Sequence, residues 1–329
     1  MSEHTFLPIN YPDLLKFRTD LEAIFWFASE INLHRDREDY EKLSPSIQKF
    51  IKTVLAFFAP ADGLISENLV TRFISEVSSL YKEAGFFYTV QNHNELIHNE
   101  TYSLLIDVLF SNIDEKNALL DAVHNYPAVK NISEWMTSVM RSDAPLQERL
   151  YSFACIEGGL FNAAFAAIYY IKRKNVLPGL CQANEFIARD EAIHARFASA
   201  LYNRMIQDLD PVNCYNNLDR LKTIFKPLDR STVIRITEEA VELSNRLVID
   251  ALDVELIDIT REDMMQYIKC TFDVLVESFG FEKIYNTSNP FDWMIMTSLA
   301  NKTNFFEKNV TDYARTTKKN ITYIMDTDF

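Results

Sequence analysis

Glu-x-x-His occurs twice in this chain, as Glu95-Leu96-Ile97-His98 and Glu191-Ala192-Ile193-His194, and no other feature constrains the fold as much. Each copy follows a lone carboxylate by nearly the same interval, 33 residues from Asp62 to Glu95 and 34 from Glu157 to Glu191. On a helix, residues three apart lie about 60° apart in azimuth and about 4.5 Å apart in rise, so a Glu oxygen and a His nitrogen reach one ion. A chain that climbs about 16 residues rises about 24 Å and then returns to the same level. The interval therefore suits two antiparallel helices, and both halves present their ligands at matching depth. Four carboxylates and two imidazoles arranged this way are the sequence form of a two-metal site inside a four-helix bundle.

A lone Glu-x-x-His is a weak signal, because the spacing recurs on solvated helix faces. Asp121-Ala122-Val123-His124 has the same spacing, lacks a matched upstream carboxylate and is stopped at once by Asn125-Tyr126-Pro127. It reads as surface. His4, His34 and His93 read as solvent or local hydrogen-bonding residues. The doubled pattern is far more specific. It is the known arrangement of ferritin-like di-iron and di-manganese bundles, and the reading here matches that template, with Asp62 where the template has Glu. Mixed oxygen and nitrogen donors without thiolate suit iron or manganese, whose preferences overlap. The carboxylates also need cations, since an unpaired buried cluster of them is prohibitively costly.

The rest of the chain agrees with an all-α fold. Glycine is scarce, with 6 in 329 residues, as long helices require. No alternating apolar-polar run is long enough for a substantial sheet. The periodicity predicts helices over Tyr11 to Ser29, from Ser44-Pro45 to Leu80 with Pro60 inside, Glu83 to Phe110, Glu115 to His124, and Ile132 to Arg141. Further helices are expected from Pro145 to Lys174, ended by Pro178-Gly179, then over Cys181 to Asp208, Ser231 to Leu252, Arg261 to Phe279, and Phe291 to Ser298. The expected organisation is a single helical di-metal domain over residues 1–306, a four-helix core with additional helices, and a flexible tail over 307–329.

Composition excludes several classes. A net charge of −14 argues against a nucleic-acid partner. Cys155, Cys181, Cys214 and Cys270 are widely spaced, without Cys-x-x-Cys, which fits a reducing compartment and opposes a disulfide framework. Met1 to Asn10 lacks the pattern of a signal peptide. Phe153 to Ile171 is nearly long enough to span a membrane, but Glu157 and Asn162 lie within it, so a helix buried at the centre of a bundle is expected.

Around the ligands, Phe161 and Phe165 follow Glu157 on its own helix face, and Ile187 precedes Glu191 by four. Such residues are ordinary core, and beside metals they also make a dry pocket. Tyr102 follows His98 by four and projects from the ligand face about 6 Å along the axis. By position alone it is a buried tyrosine like any of the 15 in the chain.

The segment Glu95-Leu-Ile-His98-Asn-Glu-Thr-Tyr102-Ser-Leu-Leu-Ile resembles the radical-site motif of the ribonucleotide reductase small subunit, in its eukaryotic-like class I form. Leu55-Ala-Phe-Phe-Ala-Pro-Ala-Asp62-Gly, Ile156-Glu157-Gly158 and Ala188-Arg-Asp-Glu191-Ala-Ile-His194 resemble that family's other ligand segments. Lys302-Thr-Asn-Phe305-Phe306-Glu-Lys and the acidic, Phe-terminated tail are similar to it too. The resemblance spans nearly the whole chain. It implies that Asp62, Glu95 and His98 bind one iron and Glu157, Glu191 and His194 the other, oxo-bridged when oxidised, with manganese as the alternative metal. It implies an oxygen pocket of Phe161, Phe165 and Ile187, and a stable tyrosyl radical on Tyr102.

The same resemblance implies radical transfer through Trp26, Asp190 and Tyr313 to a separate large subunit that reduces ribonucleotides. Tyr323 also lies in the tail. Ile324, Met325, Asp326, Asp328 and Phe329 are implied to bind that subunit, consistent with apolar anchors set among carboxylates in a segment that folds on binding. A homodimer and a cytoplasmic location are implied as well. The chain departs from the family at Glu30-Ile31-Asn32, where the third residue is commonly acidic and is not a metal ligand. Competing readings are iron storage, a di-iron oxidase with its own small substrate, and a non-catalytic partner of another small subunit. The length and tail count against the first, the closed pocket against the second, and the intact ligand set against the third.

Overall fold

Ser44 opens the helix that carries the first predicted ligand. Its Oγ accepts from the Ile47 backbone N–H, and Pro45 occupies the first turn, where a missing N–H costs nothing. The structure, a computed structural model, describes residues 5–214, 218–252, 259–292 and 294. The expected tail over 307–329, including Tyr313, Tyr323, Ile324, Met325, Asp326, Asp328 and Phe329, lies outside the described residues, as do Lys302, Phe305, Phe306 and most of the helix expected over Phe291 to Ser298.

Among the described residues the architecture is helical throughout, without strands. In chain order the α-helices are α1 (Pro12–Ala23), α2 (Asp36–Glu41), α3 (Pro45–Asn68), α4 (Ile74–Ser78), α5 (Lys82–Leu109), α6 (Ile113–Leu120), α7 (Ala122–Asn125), α8 (Pro127–Arg141), α9 (Leu146–Cys155), α10 (Phe161–Arg173), α11 (Pro178–Gln207), α12 (Leu218–Ile224), α13 (Arg230–Ala251) and α14 (Arg261–Ser278). Two π-helical segments interrupt longer runs, Leu69–Phe73 between α3 and α4 and Ile156–Leu160 between α9 and α10. The core is one apolar cluster rich in Phe, Leu, Ile and Ala from nearly every helix.

Helices α3 and α5 run antiparallel, as the matched intervals require. Contacts climb one helix as they descend the other: Ser66 Oγ bonds Asn92 Oδ1, Asn99 Nδ2 donates to the Ala59 carbonyl, and the Phe58 ring packs on Tyr102. The 28-residue run Leu146–Arg173 is long and apolar enough to cross a membrane, but it is largely buried within the bundle, as expected of a central helix. Its π segment packs against α14 at Gly159, where a Cβ would run into the Phe272 ring.

Three sequence expectations change. The first helix ends at Ala23 rather than Ser29, because the segment that follows is pulled into tertiary contacts: Arg189 Nη2 donates to the Ile24 carbonyl, Phe25 stacks on His93, and Trp26 turns into the core. The helix expected over Glu115 to His124 is two short helices, α6 and α7, separated at Asp121. Pro178-Gly179 opens α11 instead of ending its predecessor; the chain reverses through Asn175 and Leu177, both at positive φ. Gly179 is required there by close approach, since a Cβ would meet the Asn32 carbonyl at 2.6 Å. Asp36 of α2 caps the new helix, accepting from the Gly179 and Leu180 N–H groups at 2.9 and 2.6 Å.

Candidate metal centre

Four helical runs supply the six predicted ligands. Asp62 lies on α3, Glu95 and His98 on α5, Glu157 on the π segment after α9, and Glu191 and His194 on α11. All six are at most 1% exposed. Glu95, Glu157, Glu191 and His194 form the tightest group, with one donor atom from each within 4.8 Å of all the others. His194 Nδ1 lies 3.2 Å from Glu95 Oε1, 3.1 Å from Glu191 Oε2 and 3.6 Å from Glu157 Oε2. His98 Nδ1 lies 3.5 Å from Glu95 Oε2 and 2.9 Å from Glu191 Oε1, the latter without hydrogen-bond alignment. Glu95 and Glu191 thus each sit between two imidazoles.

Electrostatics tie the group together. Burial pushes the Asp62 and Glu157 carboxyls well up, and the neighbouring Glu95 and Glu191 charges add to this. Burial opposes ionisation of Glu191 too, but His194 and hydrogen bonds from its neighbours outweigh it and hold that carboxyl below the usual range. Burial disfavours both imidazolium ions, yet the carboxylates around them win. His98 is raised by Asp190, Glu191 and Glu95, and His194 by Glu191 and Glu95.

The donors fit a metal pair. Asp62 Oδ1 and Oδ2, Glu95 Oε2, Glu157 Oε2, Glu191 Oε1 and His98 Nδ1 are buried without a hydrogen-bond partner, and His194 turns Nδ1 toward the same carboxylates. Buried polar atoms are nearly always paired, and each orphan costs about 1–3 kcal/mol. So many converging on one spot, all oxygen or nitrogen, are the inner surface of a cation site.

Tyr102 stands one turn beyond His98, 1% exposed, with its hydroxyl unpartnered. Burial holds its phenol well above the ordinary value, with the charges of Asp62, Glu191 and Glu95 adding to the effect. Phe161, Phe165 and Ile187 are all buried. Trp26 Nε1 donates to Asp190 Oδ2 at 2.7 Å, and the same oxygen lies 3.2 Å from His98 Nε2. A carboxylate on the far nitrogen of a ligating imidazole fixes its tautomer and orientation.

Sequence reasoning missed three neighbours. Gln91 Nε2 donates to Glu95 Oε1 at 3.1 Å and to Glu157 Oε1 at 2.9 Å, joining the two halves. Asn94 Nδ2 donates to Asp190 Oδ2 at 3.2 Å. The Phe58 ring stacks on Tyr102 with centroids 4.6 Å apart and planes 5° apart. Gln91, Asn94 and Phe58 precede Glu95, His98 and Asp62 by exactly one helical step of four. The same-face rule that singled out Tyr102, applied upstream of the ligands, finds all three. Asp121 and His124 pair with each other on the exposed surface, as the sequence predicts.

The chain matches the family model described as ribonucleotide reductase, small chain, over residues 3–290. It is 39% identical over 310 residues to the ribonucleoside-diphosphate reductase small subunit of Dictyostelium discoideum, covering 94% of this chain and 86% of that one. It is 40% identical over 331 residues to the small chain of Plasmodium falciparum, covering 99% and 88%. The solved structure of the Rnr4 homodimer from Saccharomyces cerevisiae superposes with a TM-score of 0.71 at 28% identity, over 92% of this chain and 90% of that one.

Proposed function

From its membership of the ribonucleotide reductase small-chain family, to which this chain belongs, we propose that it holds a di-iron pair in the α3–α5–α11 cluster and generates a radical on Tyr102. It is the small subunit of a ribonucleoside-diphosphate reductase, an oxidoreductase that works with a large subunit. Its metal-binding character follows from the family and from the buried Glu/His group. Iron is the metal we assign, with manganese the alternative, because oxygen and nitrogen donors serve both.

Asp62, Glu95, His98, Glu157, Glu191 and His194 would hold the pair, with Glu95 and Glu191, each beside both imidazoles, serving both halves. A bound, reduced pair would activate dioxygen, which is the source of the oxidising equivalent. The chain's own residues do the rest. Tyr102 gives up one electron and its Oη proton and becomes a neutral phenoxyl. The electron and the proton would both go to the oxygen-activating site beside the ring, and Asp62 exerts the strongest of the charges acting on that phenol. Phe161, Phe165 and Ile187 keep water from the ring. Asp190 Oδ2 orients His98 through Nε2 and takes the Trp26 indole N–H, so that an electron and a proton can move together between the metal end and Trp26.

The single observation that carries this reading is the unpartnered, fully buried Tyr102 hydroxyl one turn from a ligand in a cluster of orphaned donors. A storage protein has no need of that tyrosine. Tyr313 completes the relay, Ile324 to Phe329 bind the large subunit, residues 1–306 form one domain, and the subunit works as a cytoplasmic homodimer.

The deciding experiment loads metal-free protein with ferrous iron under anaerobic conditions, admits oxygen and records the EPR spectrum. A tyrosyl signal that is absent in Tyr102→Phe is expected. Stoichiometric iron uptake without any radical, with manganese giving none either, would sink the reading. Removing residues from Ile324 onward should abolish turnover with the large subunit and leave the radical intact.

A further inference from the structure

The Phe58–Tyr102 stack is built into the same two helical turns that carry the metal ligands. Phe58 precedes Asp62 by four on α3, and Tyr102 follows His98 by four on α5. Because the two helices are antiparallel, one step along each places ligand beside ligand and ring beside ring. Phe58 is wholly buried, as is Tyr102. Its ring also lies 5.1 Å from Phe165 at 23° and 5.7 Å from Phe161 at 68°, so neighbours on several sides fix its plane. A centroid separation of 4.6 Å between parallel planes exceeds the roughly 3.5 Å contact distance of aromatic carbons, so the rings are offset. Offset stacking is the favourable parallel geometry for two π systems, each with a negative face.

Oxidation changes one ring and leaves the other alone. When Tyr102 loses an electron and its Oη proton, its π system becomes electron-poor, while the Phe58 face stays electron-rich. The attraction between them therefore grows on oxidation, and the stack favours the phenoxyl over the phenol. We propose that Phe58 tunes Tyr102, easing its oxidation and prolonging the life of the radical through the stacked face. This rests on the assignment of the radical to Tyr102, and the oxidant is the dioxygen-treated metal pair already named. No bond forms between the rings; Phe58 acts only through its π density. Asp62 and Phe58 share a turn, so whatever fixes the Asp62 carboxylate on the metals also fixes the plane of the stack.

The test replaces Phe58 with 4-fluoro-, 3,5-difluoro- and pentafluorophenylalanine, which withdraw π density with little change in volume, and with Leu, which removes the ring. Metal content per chain and the EPR decay of the Tyr102 radical are measured for each. At equal metal content, the half-life is expected to fall stepwise with fluorination and by about tenfold in Phe58→Leu, the scale of a stacked aromatic pair. In metal-free protein carrying 3-fluorotyrosine at position 102, the fluorine resonance should move in Phe58→Leu, reporting the stack without any activity. A half-life unchanged across the fluorinated series overturns the proposal, and so does a loss confined to the Leu variant, which would mark simple packing. If the unsubstituted protein forms no radical at all, the assignment of Tyr102 itself falls, and the tuning role with it.

Discussion

The α5 and α11 copies of Glu-x-x-His carry the same ligands in different company. One step of four before the glutamate stands Gln91 in the first copy and Ile187 in the second. One step before the histidine stands Asn94 in the first and Asp190 in the second, and one step after it Tyr102 and Ala198. The first copy therefore has an oxidisable ring beyond its histidine, and the second has a buried methyl group. The outer nitrogen of His98 meets Asp190, whereas that of His194 meets no hydrogen-bond partner. Asp190 belongs to the second copy but serves the histidine of the first, so the halves are equal as ligand sets and unequal as electron routes. Their lone carboxylates differ too: Asp62 sits in a continuous α-helix, while Glu157 sits in a π segment, which re-aims its side chain.

The sharpest way to break this comparison is at Asp190. Asp190→Ala should lower turnover with the large subunit by up to about a hundredfold, because an oriented imidazole loses its carboxylate and the indole its acceptor. The Tyr102 radical should still form on iron loading. Wild-type turnover in this variant would mean that the asymmetry carries no electrons. Next comes the bridging of the two halves. Glu95→Ala and Glu191→Ala should each weaken both metal sites, by about 10–100-fold, whereas Asp62→Ala should weaken one. Metal titration under anaerobic conditions distinguishes two perturbed sites from one; a single perturbed site in Glu95→Ala would make the halves independent.

A pH series tests the respect in which the halves are alike, since each has one raised carboxyl and one raised imidazole. With folded values above the unfolded ones of 3.8 and 4.5 for the carboxyls and 6.5 for the imidazoles, the metal-free folded state binds more protons than the unfolded chain. Stability from these four groups is fully present below those values and is lost as pH rises through the folded ones. Glu191, shifted down, works in the opposite sense but is one group against four. The melting temperature of metal-free protein should therefore fall from pH 5 to pH 8. Loading should release protons and flatten the profile, as displacement of protons by metal requires. A melting temperature that rises with pH in the metal-free protein would refute the balance. The smallest effect is expected from Asn94→Ala, which removes one of three donors to Asp190 Oδ2. A hydrogen bond to a carboxylate is worth about 1.5–3 kcal/mol net, and with two donors left on that oxygen the loss should sit at the lower end, so turnover should drop by about tenfold while metal content stays constant. A drop as large as that of Asp190→Ala would give Asn94 a role in the relay itself.

The sequence alone determined what helix pitch determines. Ligands three apart, a tyrosine four beyond, Phe161 and Ile187 on the ligand faces and matched intervals across a helical hairpin all follow from 3.6 residues per turn, and that local geometry survives any packing. Gln91, Asn94 and Phe58 were legible by the same rule, although nothing in it says what each would touch. Only the tertiary structure decided which helices became neighbours and at what rotation. It set Trp26 against Asp190, 164 residues away, and ended the first helix at Ala23 to do so. It put Glu95 and Glu191 between both imidazoles, turned Gln91 across the two halves and laid Phe58 parallel to Tyr102. A spacing fixes directions along one helix, but a contact between helices depends on their register and on the side chains that fill the space between them. That is why the metal site could be read from one dimension, whereas the relay and the stack required three.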